Sequence, residues 1–477
     1  MLLTFWGAAK QVTGSMYLLE LADDYRVLID CGTDMDRKLY DEKEEQTKSE
    51  YGFFPFDATT INLVVLTHAH IDHSGNIPML YQEGFEGQVL CTSATYELAE
   101  LLLYDSAHLH ARRLKAAQGD TKKSQKKMDH ILKRGDIYLE KQVKESLENF
   151  VTLQFNKKFK IIDGVNVTFI PAGHLLGAAH VVFDIIENGE KKSICFSGDL
   201  GRKNYPLHAD PEAVPEVDYL ICETTYGARL HEDKMLPEDA LADVIQRTCI
   251  DIPGRMIVPS FSVGRTQTLL YTLNRLYTER GFAPIKVFSD SPLARASTRV
   301  YQRNIGLLNK EAKEYQKEHQ TLFDFENLQY VESEKASKAI DNYNEPCIIV
   351  SSSGMVQGGR VEYHIAQNIG NTYCTILMIG YASEGTLGHR LMNGQKTISI
   401  KGKDVDVKAN IEKIDVFSGH ADQNGLLTFL KYQSPTQLKK AFLVHGELKS
   451  MEIFKQLAEE NGYNQVVIPE KGQSFEL

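Results

Sequence analysis

One short segment, LVVLTHAHIDHSGN, constrains the fold and the chemistry of this 477-residue chain more than any other. Its apolar start, residues 63–66, is short, rich in β-branched side chains and bounded by polar residues, as a buried strand is. Ligand-type side chains then follow in the pattern His-x-His-x-Asp-His, at the strand exit where open α/β sheets place their chemistry. Imidazole and carboxylate together favour zinc or a similar divalent ion. The four side chains are His68, His70, Asp72 and His73.

The spacing of these four side chains predicts two places for a metal ion. His68 and His70 are two residues apart, so on an extended stretch they point to one side and can hold one ion. Asp72 and His73 are adjacent, so a turn can aim both at a second ion. The alternative is a set of scattered polar residues around a turn. Three histidines and an aspartate within six positions disfavour that alternative.

Three more candidate ligands follow apolar strands in the same way. His174 follows VNVTFIPAG and His445 follows AFLV. Asp199 follows SICFSG and could bridge two ions through its two oxygens. Each of these residues, taken alone, could equally well have a structural role. All three share one pattern, an apolar strand followed by a ligand-type side chain with a glycine nearby, and this recurrence favours a metal-binding role for the three together. Asp30, at the end of RVLIDCG, is better placed to hydrogen-bond a ligand histidine and orient it.

The order of predicted elements indicates one domain interrupted by another. The first 205 residues are rich in predicted strands, including one over residues 159–169. After Pro215, four apolar strands are each followed by a glycine- or serine-bearing loop and a helix, which is typical of a parallel α/β sheet. The helix N-termini at these loops can receive phosphate. Alternating strands return near residue 396, so the predicted domains are 1–207, an insertion at 208–393, and 394–477.

Composition excludes several classes of protein. The seven cysteines are scattered and never in Cys-x-x-Cys, so we expect reduced thiols, not disulfides or a thiolate zinc site. There is no apolar run of about 18 residues and no signal-peptide start, so we expect a cytoplasmic protein without a membrane partner.

The net charge of −11 argues weakly against a nucleic-acid partner. Residues 112–134 are the exception, because nine Lys or Arg stand there against two Asp, and they either face a phosphate backbone or form a solvated helical face.

Beyond the first motif, the segments LIDCG, PAGHLLGAAH and FSGDLG resemble the metallo-β-lactamase superfamily. Later segments resemble its β-CASP branch of nucleic-acid nucleases, in which a block is inserted before the last part of the fold. ETTYG with Glu223, FSGHAD with His420 and LVHGE with His445 resemble three motifs of that branch, in order. VPSFSVGRTQ, SSSGMVQGGR and GYASEGTLGHR are also similar to it. The resemblance implies an αββα sandwich with an inserted α/β domain of parallel-sheet type.

The resemblance also implies a role for each matching residue. A histidine at the position of His445 is the pattern of the RNA-acting members. Glu223 and His420 would form a catalytic pair, with Asp72 also counted among the catalytic residues. Two zinc ions would be held, with manganese as the alternative metal. The first would bind His68, His70, His174 and Asp199, and the second Asp72, His73, Asp199 and His445.

The predicted function is therefore a zinc-dependent ribonuclease that hydrolyses phosphodiester bonds of single-stranded RNA, in RNA processing or decay. Two zinc ions would lower the pKa of a bound water to near neutrality, which would supply the attacking hydroxide. His420 would act as general acid on the leaving oxygen, with its imidazole held by Glu223. Backbone N–H groups and guanidinium groups of the inserted block would bind phosphates. The residues predicted for that role are Ser352, Ser353, Gly354, Arg265 and Arg360.

Two other functions fit parts of the sequence. A small-molecule ester, thioester or lactone hydrolase of the same superfamily would not need the inserted block or the Glu223–His420 pair. A non-catalytic RNA-binding subunit would have lost metal ligands, and here none is lost. The sequence leaves open whether cleavage is endonucleolytic or exonucleolytic from the 5′ end, which RNA is the target, and the oligomeric state, for which a homodimer is one option.

Overall fold

The computed structural model describes residues 1–35, 51–118, 137–187, 189–231, 235–380, 382, 384–400 and 403–477. These residues belong to two compact units. The host unit comprises Met1–Lys203, Asp210–Leu230 and His420–Leu477, and the inserted unit comprises Asn204–Ala209 and His231–Gly419. The chain therefore leaves the host unit and later returns to it. Most of the basic stretch 112–134 lies outside the described residues.

Two mixed sheets form the centre of the host unit, each with seven strands among the described residues. In the first sheet the spatial order of strands is Gln473–Glu476, Leu2–Phe5, Tyr17–Glu20, Arg26–Ile29, Leu63–Val65, Gln88–Thr92 and Phe150–Leu153. In the second sheet the order is Val466–Val467, Lys440–Val444, Tyr219–Glu223, Glu190–Phe196, Ala179–Glu187, Val165–Pro171 and Lys158–Ile162.

One apolar core joins the two sheets face to face. Alternate side chains of each strand point into it, as the two-residue period of a strand requires. Burying an aromatic or branched side chain of this kind contributes about 1.5–3 kcal/mol, so the core is the main reason the sheets stack. Its fully buried members include Leu3, Phe5, Leu19, Val27 and Ile29 from the first sheet and Val167, Phe169, Val181, Phe183 and Ile194 from the second.

Helices cover the outer faces of the sandwich. A second core packs Gln423–Leu430 and Leu448–Glu460 on the second sheet, and Ser93–Ala117 contacts the first sheet. The host unit is thus the αββα sandwich predicted from the sequence, and that prediction is confirmed. Its other helices are Ile71–Ser74, Ile77–Gln82 and Glu140–Leu147, with 3₁₀ turns at Ala22–Asp24 and Ala58–Thr60.

One predicted strand of the host unit is wrong. The apolar stretch at residues 159–169 is not a single strand but two antiparallel strands, Lys158–Ile162 and Val165–Pro171. Between them, Gly164 has a φ of +79°, a left-handed conformation that glycine adopts without steric cost. The Asp163-Gly164 dipeptide is a turn signal, and it decides the structure where the apolar pattern alone does not.

The inserted unit is built on a six-stranded sheet in which all neighbouring strands of the described residues are parallel. The predicted parallel α/β architecture of the insertion is therefore confirmed. Parallel neighbours need crossover connections, and helices supply them here. In spatial order the strands are Leu328–Tyr330, Lys286–Asp290, Cys347–Ser351, Arg255–Pro259, Cys374–Met378 and Asn410–Lys413. The helices are Pro237–Ile245, Arg265–Thr278, Pro292–Arg303, Lys310–His319, Glu334–Ala339, Val361–Asn368 and Leu387–Met392, with a π-helical turn at Gln246–Asp251 and 3₁₀ turns at Ile305–Leu307 and Ile340–Asn342.

The chain stays in the inserted unit beyond the hairpin of Thr397–Ile400 and Lys403–Asp406, because Asn410–Lys413 pairs with Cys374–Met378. The predicted domain boundaries at 207/208 and 393/394 stay a prediction. None of the helices in the described part of the chain combines the length and the apolar character that crossing a membrane requires.

Candidate metal centre

The His-x-His-x-Asp-His segment changes conformation midway, and this change aims its side chains in two directions. The strand Leu63–Val65 ends shortly before it, and His68 and His70 lie on the segment between that strand and the following helical turn, outside regular secondary structure. A short helical turn, Ile71–Ser74, then holds Asp72 and His73. The turn is fixed by the Ser74 hydroxyl, which donates to the backbone carbonyl oxygens of residues 69 and 70.

The first group of donor atoms combines His68, His70, His174 and Asp199. Nδ1 of His70 lies 3.1 Å from Nε2 of His68 and 3.2 Å from Nε2 of His174. Oδ2 of Asp199 lies 3.4 Å from Nε2 of His68 and 3.5 Å from Nε2 of His174. Three nitrogens and one oxygen therefore surround a common point.

The second group combines Asp72, His73 and His445, and the other oxygen of Asp199 faces it. Oδ1 of Asp199 lies 3.3 Å from Nε2 of His73 and 3.5 Å from Nε2 of His445. Nε2 of His445 is also 3.5 Å from Oδ2 of Asp72. Each oxygen of Asp199 thus belongs to a different group, as a bridging carboxylate requires.

These distances fit zinc. Tetrahedral zinc with bonds of about 2.0–2.1 Å separates neighbouring ligand atoms by about 3.3–3.4 Å. The separations in both groups, 3.1–3.5 Å, are close to that value. Oδ1 of Asp199 and Nε2 of His445 are buried and have no hydrogen-bond partner within the described residues. Buried polar atoms normally have partners, so these two atoms have the character expected of donors to a metal ion.

The two groups differ in how readily their histidines take up protons. Burial lowers the pKa of His68 and His174, and it lowers the pKa of His70 to about 3. Burial also opposes the charged form of His73 and His445, but the facing carboxylates outweigh it and raise the pKa of both. Without an ion, protons therefore compete for the second group more strongly than for the first.

The carboxylates of the cluster keep their charge. Burial alone raises the pKa of Asp199 and Asp72, because it penalises the ionised form. The surrounding imidazoles oppose this effect, with His445 prominent for both residues, and the net pKa of each aspartate is lowered. Both carboxylates are thus ionised at neutral pH and available to a cation.

Asp30 hydrogen-bonds one ligand histidine directly and reaches another through Thr67. Its Oδ2 lies 2.7 Å from Nδ1 of His73, the kind of contact predicted for it. The same oxygen accepts from the Thr67 hydroxyl at 2.9 Å, and that hydroxyl lies 3.1 Å from Nδ1 of His68. Since the hydroxyl proton goes to the carboxylate, Nδ1–H of His68 must donate to the hydroxyl. One carboxylate thereby orients a histidine from each group.

Glu223 and His420 form a separate pair beside the two groups. Glu223 ends the strand Tyr219–Glu223 and is fully buried. Its Oε1 lies 3.1 Å from Nδ1 of His420 and accepts from the backbone N–H of Leu200 at 2.8 Å. The ring centroid of His420 is 4.4 Å from that of His174. His420 is in neither ligand group, although its ring packs against one of their members.

Three family models match the chain. The Metallo-beta-lactamase superfamily model matches residues 9–246, the Beta-Casp domain model residues 266–391, and the Zn-dependent metallo-hydrolase RNA specificity domain residues 404–469. Ribonuclease TTHA0252 of Thermus thermophilus is 31% identical over 443 residues, which cover 93% of this chain and 92% of that protein. The chain belongs to the β-CASP branch of the metallo-β-lactamase superfamily.

Two further relatives of this β-CASP protein come from archaea. The RNase J-like protein of Methanocaldococcus jannaschii is 29% identical over 451 residues, covering 94% of this chain and 92% of that protein. Transcription termination factor FttA of Methanosarcina mazei is 28% identical over 459 residues. The match covers 94% of this chain and 67% of the FttA protein, so the chain spans about two-thirds of that relative.

The residues predicted to bind phosphate all lie in the inserted unit. Arg360 already has protein partners, because it donates to Oδ1 of Asp290 at 2.6 Å and to two backbone carbonyl oxygens, those of Val331 and Glu332. These contacts show that it supports the structure of the inserted unit, and its predicted contact with RNA stays a prediction. Arg265 differs, because its guanidinium stacks 4.6 Å from the ring centroid of Phe261 and no ion pair of its own is found among the described residues.

The serines of the same block are also engaged within the protein. The Ser262 hydroxyl donates to Oγ of Ser352 at 2.8 Å, and the Ser353 hydroxyl donates to the carbonyl oxygen of Gln357 at 2.9 Å. A Cβ on Gly354 would lie 2.8 Å from the ring of Phe261, so only glycine fits there. These contacts define the shape of the loop, and its predicted role in phosphate binding stays a prediction.

Sequence reasoning missed two hydroxyl residues that contact residues of the site. Thr67 directly precedes His68 in the motif, so its position beside a ligand was visible, but its contact with Asp30 depends on the packing of two strands. Ser197 was also missed, and its hydroxyl accepts from the backbone N–H of Glu223 at 2.9 Å. A hydroxyl residue within two positions of a candidate ligand at a strand exit is the pattern that could have found both.

Proposed function

We propose that this β-CASP protein is a zinc-dependent ribonuclease that hydrolyses phosphodiester bonds of single-stranded RNA, in RNA processing or decay. The observation behind the proposal is that two groups of donor atoms share Asp199 and lie beside the Glu223–His420 pair. The first feature is what a two-metal hydrolase needs, and the second is what a proton donor to a leaving group needs.

The comparisons support RNA as the substrate. One relative bears the name ribonuclease and another the name RNase J-like, each with more than nine-tenths of its length covered. The family model that matches residues 404–469 is described as an RNA specificity domain. RNA is therefore favoured over DNA and over small esters as the class of substrate.

We propose two zinc ions per chain, with manganese as the alternative metal. Three imidazole nitrogens with a carboxylate oxygen suit zinc well. Asp199 would be common to both ions because each of its oxygens faces one group. His68, His70, His174 and Asp199 would hold one ion, and Asp72, His73, Asp199 and His445 the other.

Zinc, when bound, supplies an activated water and neutralises charge on the phosphate oxygens. The protein supplies the proton for the leaving oxygen. Glu223 accepts at Nδ1 of His420, so a charged His420 has the proton on Nε2 to transfer. Glu223 is itself held by the backbone N–H groups of Leu200 and Thr225, and it therefore keeps the imidazole in one orientation.

An ester or thioester hydrolase is the weaker alternative. Such an enzyme would use the metal ligands but has no need of a separate proton donor held by a buried carboxylate. It also has no need of an inserted unit with its own parallel sheet. A non-catalytic subunit is disfavoured because all seven predicted ligands lie in the two donor groups.

The test is turnover of RNA against a chromogenic ester by the metal-loaded protein. RNAs labelled at either end, with 5′-phosphate, 5′-hydroxyl or 5′-triphosphate, give product ladders that separate internal cleavage from 5′ trimming. RNA cleavage that is lost in His420→Ala and retained in His108→Ala, an exposed histidine, would support the proposal. Ester turnover without RNA cleavage would contradict it. Sedimentation velocity of the same sample would show whether the protein is a homodimer.

A further inference from the structure

We infer that Thr225 is a positioning residue whose hydroxyl holds the imidazole of His445 with Nε2 directed at the second donor group. The inference rests on the proposed function in one respect, namely that His445 binds a metal ion. Thr225 itself supplies no atom to either donor group. It acts only through the histidine, which it contacts at both the ring and the backbone.

The hydrogen-bond geometry fixes the direction of each bond. Oγ1 of Thr225 lies 3.0 Å from Nδ1 of His445 and 3.2 Å from the carbonyl oxygen of the same residue. A carbonyl oxygen can only accept, so it takes the single hydroxyl proton of Thr225. The hydroxyl must then accept from Nδ1–H, and Nε2 keeps its lone pair for a ligand role.

The second ring nitrogen of His445, Nε2, faces the other donor atoms of the second group. Nε2 of His445 is buried and makes no hydrogen bond within the described residues. It lies 3.5 Å from Oδ2 of Asp72 and 3.5 Å from Oδ1 of Asp199. The opposite tautomer would place a proton on Nε2 and exclude an ion there, so the Thr225 hydroxyl selects the tautomer that can bind metal.

The backbone of His445 also depends on this contact. His445 has a φ of 49°, a left-handed conformation that is unfavourable for a residue other than glycine. Its N–H donates to the carbonyl oxygen of Ala8 at 2.8 Å, and its carbonyl oxygen accepts from N–H of Thr224 at 3.3 Å. The Thr225 hydroxyl is the second donor to that carbonyl oxygen, so it helps to hold the residue in its strained conformation.

Thr225 is itself fixed by the catalytic pair. Its backbone N–H donates to Oε2 of Glu223 at 2.9 Å, while Oε1 of Glu223 faces His420. One short turn therefore orients two imidazoles, since Glu223 holds His420 and Thr225 holds His445. The backbone contact to Glu223 does not involve the Thr225 side chain, so the two functions can be separated by substitution.

The experiment compares Thr225→Val with wild-type protein. Valine keeps the shape and the backbone N–H but removes the hydroxyl, so metal affinity at the second group should fall about 10–100-fold, as for other residues that orient a ligand histidine. Elemental analysis after dialysis against graded chelator should show one ion lost at lower chelator concentration than in wild type, with the other retained. RNA turnover should lose kcat with little change in KM. Thr225→Ser should restore both properties.

The matched control is Thr4→Val, which removes another buried hydroxyl of the host unit, one that is hydrogen-bonded to Ser474 and belongs to neither donor group. Equal chelator sensitivity of Thr225→Val and Thr4→Val would overturn the inference, and so would equal loss of both ions. Should Thr225→Val fail to fold, Thr225→Ala replaces it, and Thr225→Ser must still match wild type. If the wild-type protein binds no second ion, the proposed metal centre itself is refuted. This outcome can be told apart from a failure of the Thr225 inference, because metal retention is measured in wild type and variant without RNA.

Discussion

Nδ1 of His420 lies 3.1 Å from Oε1 of Glu223, although 197 positions separate the two residues in the chain. Glu223 is fully buried, and its carboxylate accepts two backbone N–H groups in addition to the imidazole. A buried carboxylate is stable only when it is paired in this way. The contact therefore fixes the orientation of His420, which belongs to neither donor group.

His420→Ala should keep both metal ions and lose about 10²–10⁴-fold in the rate of RNA hydrolysis, the usual contribution of general acid catalysis. Both metal ions should be kept because His420 lies in neither donor group. Elemental analysis and single-turnover kinetics on the same sample measure the two effects. A loss of metal that parallels the loss of rate would make His420 a ligand.

Wild-type protein purified without chelator should contain close to two equivalents of divalent metal, and His68→Ala should lose metal. His68 supplies one of the four donor atoms of the first group, so its removal leaves an incomplete site. The control is His108→Ala, which removes an exposed histidine paired with Glu140. Full metal retention in a His68→Ala, His70→Ala double variant would refute the assignment.

Acidification should release the ion of the second group before that of the first. An imidazole must be neutral to bind metal, and a raised pKa lets a proton compete at higher pH. The pKa of His73 and His445 is raised by facing carboxylates, whereas burial lowers the pKa of His70 to about 3. Elemental analysis after dialysis at decreasing pH should therefore show two steps, and the earlier step should be absent in His73→Ala. A single step in wild type would contradict the prediction.

His180 should make the host unit sensitive to acid. Its pKa is lowered to about 4 by burial, although it donates from Nδ1 to the carbonyl oxygen of Ser197 at 2.6 Å. The folded state thus resists protonation that the unfolded chain accepts near pH 6.5, so the contribution of His180 is complete above about pH 6.5 and is lost as pH falls toward 4. The loss is about 3 kcal/mol, since one pKa unit corresponds to about 1.4 kcal/mol.

His180→Asn should reduce that loss, because asparagine can keep the donor to Ser197 and does not titrate in this range. Urea denaturation of both proteins at a series of pH values measures the difference, in which effects shared by the two proteins cancel. Curves that decline in parallel toward low pH would show that burial of His180 does not cause the acid sensitivity.

Arg265 and Arg360 should respond differently to substitution, although both were predicted to contact phosphate. Arg265→Gln should flatten the dependence of log K for RNA on log salt by about one unit, as loss of one phosphate contact does. Arg360→Gln should change that slope by less and should instead destabilise the inserted unit, because it leaves the buried carboxylate of Asp290 without its guanidinium partner. The cost should be below the roughly 3–5 kcal/mol typical of breaking a buried pair, because Asp290 keeps its contacts with His364 and Ser337. Equal slopes for the two variants would contradict this distinction.

The sequence determined which residues are candidates for the metal centre and in what architecture they lie. His68, His174, Asp199 and His445 each follow an apolar strand, and that local pattern survives in any fold that buries those strands. The parallel sheet of the inserted unit was equally predictable, because repeated strand–loop–helix units leave few other arrangements. Both inferences depend only on neighbours along the chain.

Tertiary structure alone decided which atoms face one another. That Nδ1 of His70 faces Nε2 of His174, that Asp199 turns one oxygen to each group, and that the Thr225 hydroxyl contacts Nδ1 of His445 are relationships between residues far apart in sequence. The same holds for Arg360, because only the packed structure shows that its guanidinium pairs with Asp290. Hydrogen bonds act over about 3 Å, so they are specified only once the packing of the strands has set the distance between their ends.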